Sequence, residues 1–159
     1  MLIAGEGPAK KAYVQQTKAM DLEQHVIFVG YLDRAKELVD CYSCADYFVF
    51  SSRTETQGLV LLEAMGAGTP VVSVAAMGTR DILLDCPAAC IVEDDAQQFA
   101  ATLIDLLEDE SKGDALRASC HSSAEKWSSM QMAEKMLRCY SELVEETAES
   151  KMQQLKLSQ

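Results

Sequence analysis

A doubly wound parallel α/β sheet covered by helices is the fold this sequence predicts, and three observations lead to it. Short apolar runs alternate with helix-length segments from the first residue to about position 92. The runs are continuously apolar rather than alternating, the pattern of strands covered on both faces. Strand and helix then follow one another at the spacing of a parallel sheet with crossover helices.

Leu2-Ile3-Ala4 is a short strand broken by Gly5-Glu6-Gly7-Pro8, and a helix follows from Ala9 to about Leu22. Val26-Ile27-Phe28-Val29 is β-branched and aromatic and ends at Gly30, before a helix over about Arg34–Cys44 with Asp33 as its N-cap. Tyr47-Phe48-Val49-Phe50 is the third strand, closed by Ser51-Ser52. Gly58 to Ala67 reads as a helix stopped by Gly68 and Pro70, in the order that helix ends prefer. Val71-Val72-Ser73-Val74 and Ala89-Cys90-Ile91-Val92 are the fourth and fifth strands. From Asp95 onward the pattern is helical. Phe99, Leu103, Leu106 and Leu107 line a first helix, a second covers about Lys112–Trp127, and a third covers Met130 to about Glu146. The third carries an apolar stripe of Met132, Met136, Leu137, Tyr140 and Val144, read as core or packing surface. After Glu145 the residues turn polar and should fray. The expected organisation is one domain over residues 1–146 and a polar tail over 147–159.

Length and charge bound the function. At 159 residues the chain has the length of a single domain, and 48% hydrophobic content suffices for a core without metal or disulfide staples. A formal net charge of −11 repels phosphate backbones and anionic headgroups, so neither nucleic acid nor direct membrane insertion is expected. No apolar run approaches the about 20 residues needed to span a bilayer, and Met1-Leu2-Ile3-Ala4 does not read as a signal peptide. The expected compartment is the cytoplasm. Among the six cysteines, Cys41 and Cys44 are spaced C-x2-C, and Cys86 and Cys90 are spaced C-x3-C. Both pairs fall in apolar helix or strand surroundings, where free cysteine acts as a small hydrophobe, so the expectation is no metal and no disulfide.

The chemistry concentrates between Ser51 and Pro70. Ligands of parallel α/β sheets bind in the loops beyond the carboxyl ends of strands, and Glu55 falls in such a loop. A helix opening near Gly58 turns the amides of Gly58, Leu59 and Val60 outward at the positive end of its dipole, a site for a diphosphate. Glycine at 58 lets a ligand approach the backbone closely. Glu63, about 1.4 turns further on, is the only ionised side chain of that helix and needs a partner, for which sugar hydroxyls are suited. Read singly, Glu55 is equally a solvated loop acid, and Glu63 the polar edge of a helix or half of an ion pair.

Glu55 and Glu63, with seven residues between them across a strand–loop–helix junction, resemble the paired-glutamate signature of retaining glycosyltransferases built from two Rossmann-like domains, the GT-B architecture. The surrounding wording resembles the carboxyl-terminal domain of that family. Ile3-Ala4-Gly5-Glu6-Gly7-Pro8 is similar to its second strand and turn, and Val26-Ile27-Phe28-Val29-Gly30-Tyr31-Leu32 to its third strand. Ala45-Asp46-Tyr47-Phe48-Val49-Phe50-Ser51-Ser52 is similar to the fourth, Gly68-Thr69-Pro70-Val71-Val72 to the approach to the fifth, and Trp127, Ala133 and Tyr140 to the final helices. The resemblance covers the chain except its polar tail. Arg53-Thr54-Glu55-Thr56-Gln57-Gly58 and Met77-Gly78-Thr79-Arg80-Asp81 look most like bacterial enzymes that glycosylate lipids such as diacylglycerol.

The resemblance implies roles. Glu55 is the catalytic-site acid, hydrogen-bonding hydroxyls of the donor hexose. Glu63 holds the ribose hydroxyls, the Gly58 and Leu59 amides take the diphosphate, Thr56 and Gln57 complete the loop, and Tyr31 and Leu32 flank the base. The donor is a nucleotide diphosphate sugar such as UDP-glucose, with no metal and no further cofactor. The partner is an amino-terminal acceptor domain, and the full-length enzyme is expected in the cytoplasm or peripheral at the inner membrane face. There are departures. The family often has Gly-Gly and a Glu after the fifth strand, where this chain has Met77-Gly78 and Asp81. It also places a first strand and an Arg/Lys pair upstream of the Gly-x-Gly-Pro turn, so this chain is expected to start at the second strand, with Arg53 and Arg80 as its nearest basic side chains. Two other readings stand beside the donor-binding one: a non-catalytic nucleotide-sugar or interaction module, and a fragment without activity of its own. A dinucleotide-binding reading of Gly5-Glu6-Gly7 fails because Lys10 stands where the third glycine belongs.

Overall fold

The computed structural model describes the backbone of residues 1–157 and the side chains of residues 1–147. The chain forms two compact units, residues 1–44 and 45–159.

In the first unit, β1 (Leu2–Ala4) pairs in parallel with β2 (Ile27–Gly30), Leu2 opposite Ile27 and Ile3 opposite Phe28, with a bulge before Ala4. The strands are joined through α1 (Lys10–Ala19), and α2 (Glu37–Ser43) follows β2. The turn after β1 is tied down by the Gly5 amide, which donates to the Gly30 carbonyl at 2.7 Å. Asp33 does not cap α2 directly. Its Oδ1 accepts from Ala35 N and Lys36 N, both at 3.1 Å, and so closes the turn that leads into the helix.

In the second unit, β3 (Phe48–Phe50), β4 (Val71–Val74) and β5 (Ala89–Val92) form a parallel sheet in the order β3-β4-β5, with Val72 opposite Val49 and Cys90. Helices α3 (Leu59–Gly66) and α4 (Gly78–Leu83) make the crossovers. All four residues of β4 are buried because it is central, with a neighbour on each side. The expectation of strands covered on both faces holds there but not throughout: Leu2, Ile27 and Ile91 are about half exposed. Among the described residues, no other strand pairs with the second edge of β1 or of β3.

The stop of α3 follows the sequence. Gly68, in the left-handed region at φ 85°, sends its N–H to Met65 O at 3.0 Å, and Thr69 N reaches Ala64 O at 2.9 Å. These are the two hydrogen bonds of a Schellman end. Beyond the sheet lie α5 (Ala96–Glu108), capped by Asp95 through a 2.8 Å bond from Gln98 N, then α6 (Glu110–Ala118), α7 (Cys120–Glu125) and α8 (Ser129–Leu157). The single helix expected over 112–127 is broken at Ser119, the shared cap of α6 and α7.

The core joins Val72, Val74, Val92 and Leu106, with Tyr47, Val49, Phe99 and Leu103 packed against it. Leu61 and Met65 of α3 are fully buried, each a burial that stabilises by about 1.5–3 kcal/mol. Three expectations need correction. Leu107 is turned out and 54% exposed, since a residue next to buried Leu106 lies about 100° around the helix. The stripe on α8 is not core of this chain: Met136, Leu137, Tyr140 and Val144 are each more than half exposed, and only Met132 is half-buried. The polar segment after Glu145 does not end the helix, whose backbone continues to Leu157, while residues 158 and 159 of the predicted tail lie outside the described residues.

Candidate functional site

Glu55, Thr56, Gln57, Gly58, Leu59 and Glu63 are brought together at the carboxyl end of β3, on one turn and the helix it opens. Tyr31 and Leu32 belong to the other compact unit, directly after β2. Tyr31 there is 82% exposed and Leu32 is half-buried.

The turn is built around Gly58. It precedes Leu59, the first residue of α3, at φ 70° and ψ 22°, a left-handed conformation that glycine adopts without strain. Its own amide is not free. Glu55 Oε1 accepts from both Gln57 N and Gly58 N at 2.9 Å. The carboxylate therefore caps the turn from three residues upstream, which spacing alone did not reveal. The amides expected to hold an anion are thus divided: Gly58 N is committed to Glu55, while Leu59 and Val60 open the helix, where amides have no intrahelical acceptor. The Gly58 and then the Gln57 amide hold the Glu55 carboxyl below the ordinary glutamate range, as expected of donors aimed at the charged form. Glu63 is half-buried on α3, between buried Leu61 and Ala64.

A second loop, which holds none of the predicted site residues, meets the first. Ala75-Ala76-Met77 leads from β4 into α4, and Gly78 N donates to the Glu55 carbonyl at 3.2 Å. Thr79 is buried, and its hydroxyl donates to Ala76 O at 2.6 Å and accepts from Ala76 N at 3.0 Å. Met77, 61% exposed, sits at φ 48° and ψ −129°. The signal in the sequence was the wording Met77-Gly78-Thr79-Arg80-Asp81, whose resemblance marked the loop without giving it a role.

Of the basic candidates, Arg53 is paired through Nε with Asp94 Oδ2 at 2.5 Å, an exposed bridge between the loops after β3 and β5. Arg80 lies exposed on α4. The cysteines are unbridged. Cys41 and Cys86 are half-buried, but Cys44, expected to be buried, is exposed at the end of α2. Among the described residues, no cluster of three or more His, Cys, Asp or Glu side chains could hold a metal, and no helix is long and apolar enough to cross a membrane.

With this geometry in place, comparison with known proteins decides the family. Residues 1–109 match the family model of group 1 glycosyl transferases. The chain belongs to that family. It is 36% identical over 73 residues to the alpha-monoglucosyldiacylglycerol synthase of Streptococcus pneumoniae, an alignment covering 46% of this chain and 16% of that protein. Among solved structures, the carboxyl-terminal domain of the group 1 glycosyl transferase LpcC from Francisella tularensis superposes with a TM-score of 0.65 at 27% identity, over 74% of this chain and 60% of that one. Anabaena HepE in complex with UDP-glucose superposes with a TM-score of 0.74 at 21% identity, over 89% of this chain and 40% of that one, a likeness of fold. The group 1 glycosyltransferase chain described here therefore carries the carboxyl-terminal Rossmann-like domain of the GT-B architecture and spans well under two thirds of the synthase's length.

Proposed function

We propose that this chain is the donor-binding half of a retaining glycosyltransferase that moves a hexose from a nucleotide diphosphate sugar such as UDP-glucose to an acceptor, a lipid by its wording. The observation that carries this reading is the position of Glu55 and Glu63 on either side of the Gly58 turn, at the carboxyl end of a parallel strand. Glu55 faces the hexose hydroxyls and Glu63 the ribose. The Gly58 and Leu59 amides take the diphosphate, the first once Glu55 has turned from the loop to the sugar. Thr56 and Gln57 shape the loop, and Tyr31 and Leu32 flank the base. Amides and basic side chains, rather than a metal, neutralise the leaving diphosphate, the cysteines stay reduced, and the enzyme works in the cytoplasm or at the inner membrane face. The acceptor half completes the cleft. A lone donor domain forfeits most of the about 7–11 kcal/mol that proximity contributes, so the chain alone should transfer no sugar.

Calorimetry with UDP on the complete enzyme tests the assignment. Glu63→Ala should weaken binding by about 1.5–3 kcal/mol, the worth of charged hydrogen bonds, while Glu55→Ala should leave UDP affinity in place and abolish turnover. Equal losses of UDP affinity in both variants would refute it. A second reading, a non-catalytic binding module, is favoured by one observation: Glu55 already satisfies its own loop. UDP binding by the complete protein with no sugar transfer, unchanged in Glu55→Ala, would decide for that reading.

A further inference from the structure

Gly78 is a glycine for a reason other than backbone freedom. The glycines in the left-handed or otherwise positive-φ region are Gly5, Gly30, Gly58 and Gly68, and Gly78 is not among them. What it lacks is room. A Cβ at 78 would overlap the Thr56 carbonyl and lie 2.9 Å from Gln57 N. The turn after β4 therefore presses its bare backbone onto the Thr56–Gln57 peptide, and the Gly78 N–H fixes the contact through the Glu55 carbonyl at 3.2 Å. The pressing turn is itself held. The buried Thr79 hydroxyl bonds both the amide and the carbonyl of Ala76, and Met77 takes up the unfavourable dihedrals between them.

We propose that Gly78 is a positioning residue for Glu55: the backbone contact between the two turns sets the angle at which the Glu55 carboxylate leaves its loop. The geometry stands alone, and only its consequence for the donor rests on the function proposed above. The peptide touched by Gly78 includes Gln57 N, which Glu55 Oε1 accepts together with Gly58 N. Moving that peptide by the radius of a methyl group carries the Gln57 donor out of hydrogen-bond range, since such bonds fade beyond about 3.2 Å. The carboxylate would then lose one of the amides that lower its pKa.

Gly78→Ala, with Gly66→Ala as control because a Cβ at Gly66 meets nothing within 4 Å, tests this in the chain as it stands. Three measurements are compared: cooperative unfolding, the NMR titration of the Glu55 carboxyl, and UDP affinity. In folded Gly78→Ala the Glu55 titration should move up toward the ordinary glutamate range, while UDP affinity should stay within about twofold of the parent, as for Glu55→Ala. Gly66→Ala should change neither. A folded Gly78→Ala with an unshifted Glu55 titration overturns the proposal. A shifted titration with no UDP binding even in the parent chain upholds the positioning role and removes the donor reading instead. Should Gly78→Ala fail to fold, Thr79→Val loosens the same turn without adding volume; it should shift Glu55 in the same direction, and an unshifted titration in folded Thr79→Val overturns the proposal equally.

Discussion

Gly58→Ala is the substitution that most directly tests the geometry of the turn. The position is left-handed at φ 70°, and a Cβ there would lie 2.8 Å from Ile82 Cδ1 and 3.6 Å from Leu61 Cδ1. Ile82 is 4% exposed and Leu61 fully buried, so neither can swing into solvent. The conformational cost for an L-residue is about 1–2 kcal/mol, and forcing a methyl into a filled core adds about 1–3 kcal/mol. Gly58→Ala should therefore destabilise by about 2–5 kcal/mol. Ile82→Val removes the atom in the way and by itself costs about 0.5–1.5 kcal/mol. In the double variant the new methyl occupies the space that Cδ1 vacates, which should recover about 1–3 kcal/mol of the additive loss. Denaturant unfolding of the four proteins, followed by circular dichroism and compared at equal slopes, reads this directly. If the two changes add within about 0.5 kcal/mol, the conflict with Ile82 does not exist and the packing argument fails.

Met77→Gly should stabilise the chain by about 1 kcal/mol, because relief of about 1–3 kcal/mol of backbone strain outweighs the entropy glycine adds. A lower melting temperature would refute the strain. Gly113 sits inside α6, where alanine ordinarily gains about 1 kcal/mol. Here a Cβ would overlap the Tyr47 hydroxyl, which donates to Leu106 O at 2.8 Å. Gly113→Ala should thus destabilise by about 1–3 kcal/mol and become stabilising in a Tyr47→Phe background, where the nearest ring carbon stands 3.5 Å away. The same sign in both backgrounds would refute the clash. Glu55, whose folded pKa lies below its unfolded value, adds stability that is fully present above the ordinary glutamate range and is lost as pH falls through the depressed pKa. The stability gap between the parent and Glu55→Gln should accordingly be flat at neutral pH and close in acid; a gap that widens in acid would reverse the sign.

What the sequence made legible is what local chemistry decides. The end of α3 could be read from Gly68 and Pro70 because a Schellman end is set within six residues, and α5 from the helical pattern that opens at Asp95. The buried centre of the second sheet followed from Val71-Val72-Ser73-Val74. What stayed hidden depends on residues far apart in the chain. Helix α4 is six residues long and begins at a glycine whose necessity comes from Thr56, more than twenty positions earlier. Residues of the α8 stripe have the right period for packing, yet period says nothing of whether a partner is present.

The allocation of the Gly58 amide is the most consequential case. Sequence placed an acid, a glycine and a helix start in order, and from these a vacant anion cradle follows as readily as an occupied one. The structure fills it with Glu55. Under the proposed function, a diphosphate arriving at that helix end exchanges one anionic acceptor for another at the same amide. The hydrogen bond to Gly58 is then conserved rather than gained, and the dipole that favours the ligand already favours the carboxylate it displaces. Net affinity at this turn must come from Leu59, Val60 and Glu63, because the exchange at Gly58 is near neutral, and its effect is to release Glu55 toward the sugar. That exchange separates the two glutamates chemically: loss of Glu63 should be felt in binding, and loss of Glu55 in the step that only a correctly turned carboxylate can assist.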